Sequence, residues 1–174
     1  MRKVILAVAV SLDGFIEGPN GEYDWCFMDQ DYGMSDFLKR IDSIFLGRKS
    51  YDLVLELEKK DPSIHQPFRK YKHFVFSNSL QAVSEGMTLI SGDVKTKVNE
   101  IKASAGKDIW LFGGASLTKY FINEGLLDEM WLAIHPIILG KGKPLFSGIH
   151  QQMKLTLLDS KTYSTGLVSV TYSC

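Results

Sequence analysis

Apolar positions along the chain fall into two rhythms. Val4–Val10 is an unbroken apolar run rich in β-branched residues, the pattern of a central strand covered on both faces. Shorter runs at Ser43–Leu46, Lys72–Phe76, Thr88–Ile90 and Ile109–Phe112 read as further strands. Between them the spacing turns helical. Ser35–Ile41 predicts a short helix with Ser35 as its cap, and Arg48–Glu58 predicts one that gathers Tyr51, Val54, Leu55 and Glu58 on one side. Asp93–Ala105 predicts a helix capped by Asp93 and closed by Gly106, and Ala115–Glu124 predicts one stopped by Gly125. Strand and helix thus alternate through the first 125 residues, which argues for a largely parallel sheet wrapped on both faces. The last part behaves differently. Glu129–Ile134, Lys154–Ser160 and Leu167–Ser173 read as strands without helices between them, and Ser164–Gly166 reads as a hairpin-like turn, so the sheet should end in an antiparallel edge. The predicted class is α/β with a mixed, mostly parallel sheet. One stretch is set apart: Ser11–Gly33, rich in Gly, Asp and aromatic residues, is too long for a simple connector, and such loops in compact domains usually carry function or lack order.

Composition narrows the picture. The chain has 174 residues, 45% of them hydrophobic and 23% charged, with no repeat, low-complexity tract or linker, which fits one domain spanning residues 1–174. Twenty basic residues balance twenty acidic ones, so no excess charge exists to hold a nucleic-acid backbone, and a membrane is no better a partner. MRKVILAVAV imitates a signal peptide, but cleavage after the small-x-small triplet ending at Ala9 would leave too short an apolar region, and a buried first strand is the better reading. Cys26 and Cys174 lie far apart and give neither a disulfide framework nor metal-ligand spacing. No metal is expected, and the cytoplasm is the default compartment.

Three glycine- or serine-bearing turns carry the candidate chemistry. Gly113-Gly114 joins a strand directly to a helix, where unpaired backbone N–H groups and the positive end of the helix dipole meet. Glycine there lets a pyrophosphate approach the backbone, and Ser116 and Thr118 can add hydroxyl donors. Gly47-Arg48-Lys49-Ser50 repeats the arrangement, with two cations that oppose the helix dipole unless an anion is also present. Ser77-Asn78-Ser79 places hydroxyls and an amide at a third strand end. Each alone is also an ordinary turn. Together, at the carboxyl ends of parallel strands, they would lie along one edge, where open α/β sheets collect ligands. The Rossmann G-x-G-x-x-G and the Walker G-x-x-x-x-G-K-[ST] patterns are both absent.

The succession Ser11-Leu12-Asp13-Gly14-Phe15-Ile16, Leu46-Gly47-Arg48-Lys49-Ser50-Tyr51, Phe76-Ser77, Phe112-Gly113-Gly114, and His135 through Gly142 with Pro144-Leu145-Phe146 resembles the dihydrofolate reductase superfamily. The likeness is closest to the branch containing the riboflavin-biosynthesis reductase domain and its stand-alone bacterial relatives, and it spans nearly the whole chain. It implies a three-layer fold and a reductase that binds NADPH across the sheet edge. By that resemblance Gly47, Arg48, Lys49, Ser50, Gly113, Gly114, Ala115 and Ser116 grip the phosphates, Ala9 and Ile16 frame the nicotinamide, and Ser77 sits near the adenosine ribose phosphate. Close relatives often carry Arg after that serine where this chain has Asn78, so preference for NADP over NAD rests on Arg48 with Lys49. The resemblance also implies a homodimer, for which Leu167–Val170 is the strand expected to pair or pack across the interface.

On the substrate side, folate-reducing members use a carboxylate on the first helix. Counting back from Gly47 places Asp31 there as the candidate acid, while aligning Phe37-Leu38-Lys39-Arg40 places Gly33. Asp13 and Trp25 are the candidate substrate contacts; read from the residues alone, they are an Asp-Gly turn and a core tryptophan. His135 reads as structural for want of a metal-ligand partner, and Cys26 as a small apolar filler for want of a basic neighbour. The expected function is hydride transfer from NADPH to a small heterocyclic, pterin- or pyrimidine-like, acceptor. Two other readings stand beside it: a dinucleotide-binding regulatory module without turnover, and a structural domain that assembles through its C-terminal sheet.

Overall fold

The computed structural model describes residues 1–63 and 66–174. In chain order its strands are β1 (Val4–Ser11), β2 (Phe15–Glu17), β3 (Ile41–Gly47), β4 (Lys72–Phe76), β5 (Met87–Ile90), β6 (Asp108–Gly113), β7 (Glu129–His135), β8 (Lys143–Pro144), β9 (Thr156–Thr162) and β10 (Val168–Ser173). Eight of them form one sheet in the order β5-β4-β3-β6-β1-β7-β10-β9. The six from β5 to β7 run parallel, and β10 and β9 add an antiparallel edge. The mixed, mostly parallel sheet expected from the strand-helix alternation is therefore present. A separate pair, β2 with β8, was not expected, because two- and three-residue strands leave no periodic signal.

Side chains of a strand alternate between faces, and β1 uses both. Leu6 and Val10 join α3 (Val94–Ala103) and α4 (Ala115–Asn123) on one face, while Ile5 and Ala7 join α1 (Met34–Arg40) and α2 (Arg48–Lys60) on the other. Phe45 is fully buried and meets the rings of Phe76 and Phe121 edge-on, at centroid distances of 4.9 and 5.8 Å. Burying such a ring contributes about 1.5–3 kcal/mol.

The two ends of the parallel strands differ in chemistry. The amino end is tied by charge. Arg2 pairs with Asp42, buried Glu129 meets both Lys3 at 2.6 Å and Arg40 at 2.7 Å, and Lys102 reaches Asp128 at 2.7 Å. The carboxyl end instead exits into the glycine-bearing turns.

Three expectations are corrected. Ser35 is not the cap of α1: the helix starts at Met34 after Gly33, whose φ of 90° is left-handed, and Asp31 supplies the capping carboxylate. The strand expected at Lys154–Ser160 is β9, two residues further on and exposed throughout. The strand Leu167–Val170, expected to pair or pack across an interface, begins with buried Leu167 and continues as β10, which is enclosed between β7 and β9, so pairing through a free edge is excluded and only face packing fits. β9 is the edge instead, with Leu157 and Leu158 exposed. No helix among the described residues is long and apolar enough to cross a membrane.

Candidate functional site

Sheet order places the exits of β4, β3, β6, β1 and β7 side by side. With strands about 4.8 Å apart, the row from β4 to β1 measures about 14 Å. The β3 and β6 exits touch. Ser50 Oγ donates to the Gly113 carbonyl at 3.2 Å. A Cβ on Gly47 would lie 3.4 Å from that same carbonyl oxygen and 3.4 Å from Leu117, and one on Gly114 would lie 3.3 Å from Ser50 Oγ. The two turns are in close contact, and the left-handed φ of 93° at Gly114 favours glycine there. Ser50, expected among the phosphate-gripping groups, has its hydroxyl hydrogen spent on tying the turns together.

Helix capping separates this edge from the rest of the fold. α3 begins with Asp93, whose carboxylate accepts from the Thr96 N–H at 3.1 Å. α2 and α4 begin after Gly47 and Gly114 with no side-chain cap. Their first-turn N–H groups are left for another acceptor, with the positive dipole ends beside each other. Gly113 has φ 110° and Gly114 φ 93°, left-handed values at which a side chain is strained. A Cβ on Gly113 would meet nothing nearer than Thr118 Oγ1, 3.9 Å away. Thr118 Oγ1 is itself buried without a hydrogen-bond partner. An open cradle, uncapped N–H groups and an orphaned hydroxyl behind them suit a dinucleotide's pyrophosphate. Ala115 is half-buried and Ser116 exposed at the start of α4.

Arg48 extends the row towards β4. Its Nε donates to both oxygens of Asp52, at 2.9 and 2.8 Å, and its Nη1 reaches Ser79 Oγ at 3.4 Å. Ser79 Oγ lies 3.2 Å from Ser77 Oγ, and Ser77 Oγ accepts from the N–H groups of Ser79 and Leu80. Arg48 thus joins the Ser77 turn through Ser79. Asn78 turns away, its Oδ1 accepting from Gly92 N–H at 3.1 Å. Lys49 is exposed.

On the α1 and α2 face, β3 and β6 border a small apolar cleft lined by Leu46, Val54, Trp110 and Phe112. The β3–β6 register passes from Phe45 opposite Leu111 to Leu46 opposite Gly113, which leaves Phe112 as a bulged residue. Bulges re-aim side chains. Phe112 is 37% exposed, with its ring 5.0 Å from that of Trp110. Phe112 stands in the Phe112-Gly113-Gly114 succession, but its re-aimed ring is not legible there, because the bulge depends on a partner strand about 65 residues away. Ala9 continues the face of Ala7 and pairs in register with Ala133. Ile16 packs against the cluster of the opposite face, so of the two residues expected around the nicotinamide, Ala9 is the one on the α1 and α2 face.

The candidate substrate residues take other work. Asp13 accepts from Ser11 Oγ at 2.7 Å and from the Leu139 and Gly140 N–H groups at 3.1 and 2.8 Å. The Ser11 hydroxyl, then those backbone donors, hold its carboxyl below the ordinary value. Asp31 is exposed and accepts from the Ser35 hydroxyl and N–H and from the Gly33 N–H. The Ser35 hydroxyl first, then these N–H groups, keep Asp31 ionised to lower pH than usual, the opposite of what a proton donor needs. Trp25 stands edge-on to His135 at 5.3 Å and donates through Nε1 to the Glu22 carbonyl. His135 Nε2 accepts the Phe27 N–H at 3.1 Å, so its proton lies on Nδ1, which donates to the Ala133 carbonyl at 3.0 Å. Burial pushes this imidazole below its ordinary value despite the Ala133 contact. His135 is the neutral strut that fixes the long loop to β7. Burial, helped by the Asp24 charge, pushes the Cys26 thiol up to about 11, in keeping with an inert filler. Among the described residues no group of three His, Cys, Asp or Glu could hold a metal ion.

Fold and strand order define a dihydrofolate-reductase-like protein. Residues 2–169 match the RibD C-terminal domain, and the chain belongs to that family. It is 46% identical to YyaP, an uncharacterized protein of Bacillus subtilis, over 98% of this chain and 94% of that one. A Shewanella protein named provisionally for riboflavin biosynthesis superimposes with a TM-score of 0.83 at 27% identity, covering 98% of both chains. A Thermotoga maritima protein named as a diaminohydroxyphosphoribosylaminopyrimidine deaminase and phosphoribosylaminouracil reductase shares the fold at a TM-score of 0.67 and 14% identity, over 99% of this chain and 56% of that one.

Proposed function

We propose that this protein is an NADPH-dependent reductase acting on a small, pyrimidine-like ring. The observation that carries the reading is the pair of uncapped helix starts, α2 and α4, locked side by side through Ser50 and Gly113. The α4 N–H groups of Ala115 and Ser116 would hold the pyrophosphate against Gly113 and Gly114. Arg48, with Ser77 and Ser79, would meet the adenosine ribose phosphate, and exposed Lys49 would add charge. Ala9 and Phe112 would form the floor under the nicotinamide. NADPH supplies a hydride when bound; the chain supplies orientation and an apolar surface that excludes water. Asp13, Asp31 and His135 are each committed to a structural bond, so the proton is assigned to water in the cleft rather than to any of the three.

Arg48 tests the reading. Arg48→Ala should weaken NADPH about tenfold while leaving NADH affinity nearly unchanged, as read by fluorescence titration of the reduced nicotinamide. Equal losses for both coenzymes would place Arg48 away from the ribose phosphate. Tight NADPH binding with no oxidation over a panel of pyrimidine and pterin acceptors would favour the regulatory reading.

A further inference from the structure

The long loop after β1 is fastened to the sheet at one place. Residues 19–24 and 28–31 are exposed, and only Trp25, Cys26 and Phe27 between them are half-buried. Two of those three side chains stand on the His135 ring, Trp25 at 5.3 Å and Phe27 at 5.0 Å. Among the described residues, the Phe27 N–H bond to His135 Nε2, at 3.1 Å, is the one hydrogen bond from residues 19–31 to the sheet. The loop then ends at Tyr32, whose φ of 49° is left-handed, a strained value for a bulky side chain that persists only where the surroundings enforce it. His135 also stands beside the proposed nicotinamide seat. Ala133 and His135 lie on one face of β7, about 7 Å apart along the strand, and pair in register with Ala9 and Ser11 of β1.

The bond that holds the loop exists in one protonation state only. Neutral His135 accepts through Nε2 because its proton lies on Nδ1, which donates to the Ala133 carbonyl at 3.0 Å. A charged imidazole has donors on both nitrogens, so Nε2–H would face the Phe27 N–H and the attraction would become a repulsion. The loop brings Asp24 towards the ring, and the Cys26 thiol, which stays neutral with its pKa at about 11. The chain after β1 brings Asp13, already engaged by Ser11 Oγ and by the Leu139 and Gly140 N–H groups. β10 brings uncharged Val168, opposite Ile134. Among the described residues no carboxylate bonds to the imidazole, and burial outweighs the Ala133 and Val10 carbonyls in keeping it neutral. We propose that neutral His135 is the positioning residue that closes the long loop beside the nicotinamide seat, and that its protonation in mild acid releases the loop and weakens coenzyme binding. The link to the coenzyme rests on the reductase reading; the latch itself does not. A released imidazole titrates near 6.5, and the closed form takes up that proton less readily, so closure is complete above this value and declines as the pH falls below it.

Amide hydrogen exchange followed by NMR, corrected for the intrinsic pH dependence of exchange, reads the latch in the wild type without any substitution. Protection of the Phe27 N–H should fall several-fold, to a limit of about tenfold, between about pH 7.5 and about pH 5.5. His135→Gln keeps an acceptor for that N–H and cannot take up the proton, so its protection should stay level across the window, whereas His135→Ala should lose protection at both ends. NADPH affinity, titrated by fluorescence over the same window, should fall by a similar factor in the wild type relative to His135→Gln. That comparison cancels titration of the coenzyme's own phosphate. Wild-type protection that does not change with pH, or an equal acid loss in His135→Gln, overturns the proposal. Loop release while wild-type NADPH affinity follows that of His135→Gln overturns the link between loop and site. Absent NADPH binding at every pH refutes the reductase reading itself, and the latch then stands or falls on exchange.

Discussion

Gly113→Val should lower NADPH affinity by about a hundredfold or more, with the fold intact. Gly113 sits at φ 110°, and forcing a side chain into left-handed backbone costs about 1–2 kcal/mol. That cost is small against the stability of a domain this size. An added Cβ lies 3.9 Å from its nearest neighbour beyond the turn, Thr118 Oγ1, so the first carbon does not itself displace the protein. The side chain would instead fill the space proposed for the pyrophosphate. Gly125 provides the control. It lies just after α4 at φ 65° with nothing within 4 Å of an added methyl, so Gly125→Ala should add left-handed backbone strain away from the turn and leave NADPH affinity unchanged. Titration of both variants, with circular dichroism to monitor folding, separates blocked binding from general destabilisation. Undiminished affinity in Gly113→Val would remove the turn from the site.

The second large effect lies at the opposite end of the sheet. Arg2→Ala should destabilise the protein by about 2–4 kcal/mol, which lowers the melting temperature by roughly 5–15 °C for a chain of this length. Arg2 is buried, pairs with Asp42, and also donates to Ser43 Oγ at 2.6 Å and the Lys107 carbonyl at 2.5 Å. Gly106 lets the chain cross over this group, since a Cβ there would lie 2.6 Å from Asp42 Oδ2. The pH dependence follows from Asp42. Burial alone would raise its pKa, but the Lys107 N–H, the Ser43 hydroxyl and the Arg2 charge outweigh burial and lower it. A carboxyl with a lowered folded pKa contributes stability that is complete above its unfolded value, near 4, and is lost as the pH falls through the folded value. Acid denaturation of the wild type should therefore steepen below about pH 4, and Arg2→Ala should flatten that slope. A wild-type melting temperature in the variant would show that the network is energetically idle.

What could be read from the chain followed from how local each signal is. Val4–Val10 announced a central strand because a parallel strand is apolar on both faces, and Asp93 announced a helix start because its cap lies within three residues. The three turns were legible for the same reason. Their convergence needed only the rule that parallel strands end on one edge, and the Ser50 contact to Gly113 shows two of them meeting. Other features depended on partners far along the chain. His135 is held by Phe27, 108 residues away, and Phe112 is bulged by the register of β3. β9 was displaced because every residue in it is exposed, leaving no alternation to fix its ends. Asp31 looked like an acid from spacing alone; its hydrogen bonds to the turn before α1 are invisible until the backbone closes around it.

If separate strand exits form one seat for a nicotinamide dinucleotide, a crystal structure of the protein grown with NADP should show it occupied. The pyrophosphate should lie within hydrogen-bonding distance of the Ala115 and Ser116 N–H groups, the adenosine ribose phosphate beside Arg48, and the nicotinamide over Ala9 and Phe112. A dinucleotide bound away from the Gly113–Gly114 turn would refute the shared seat.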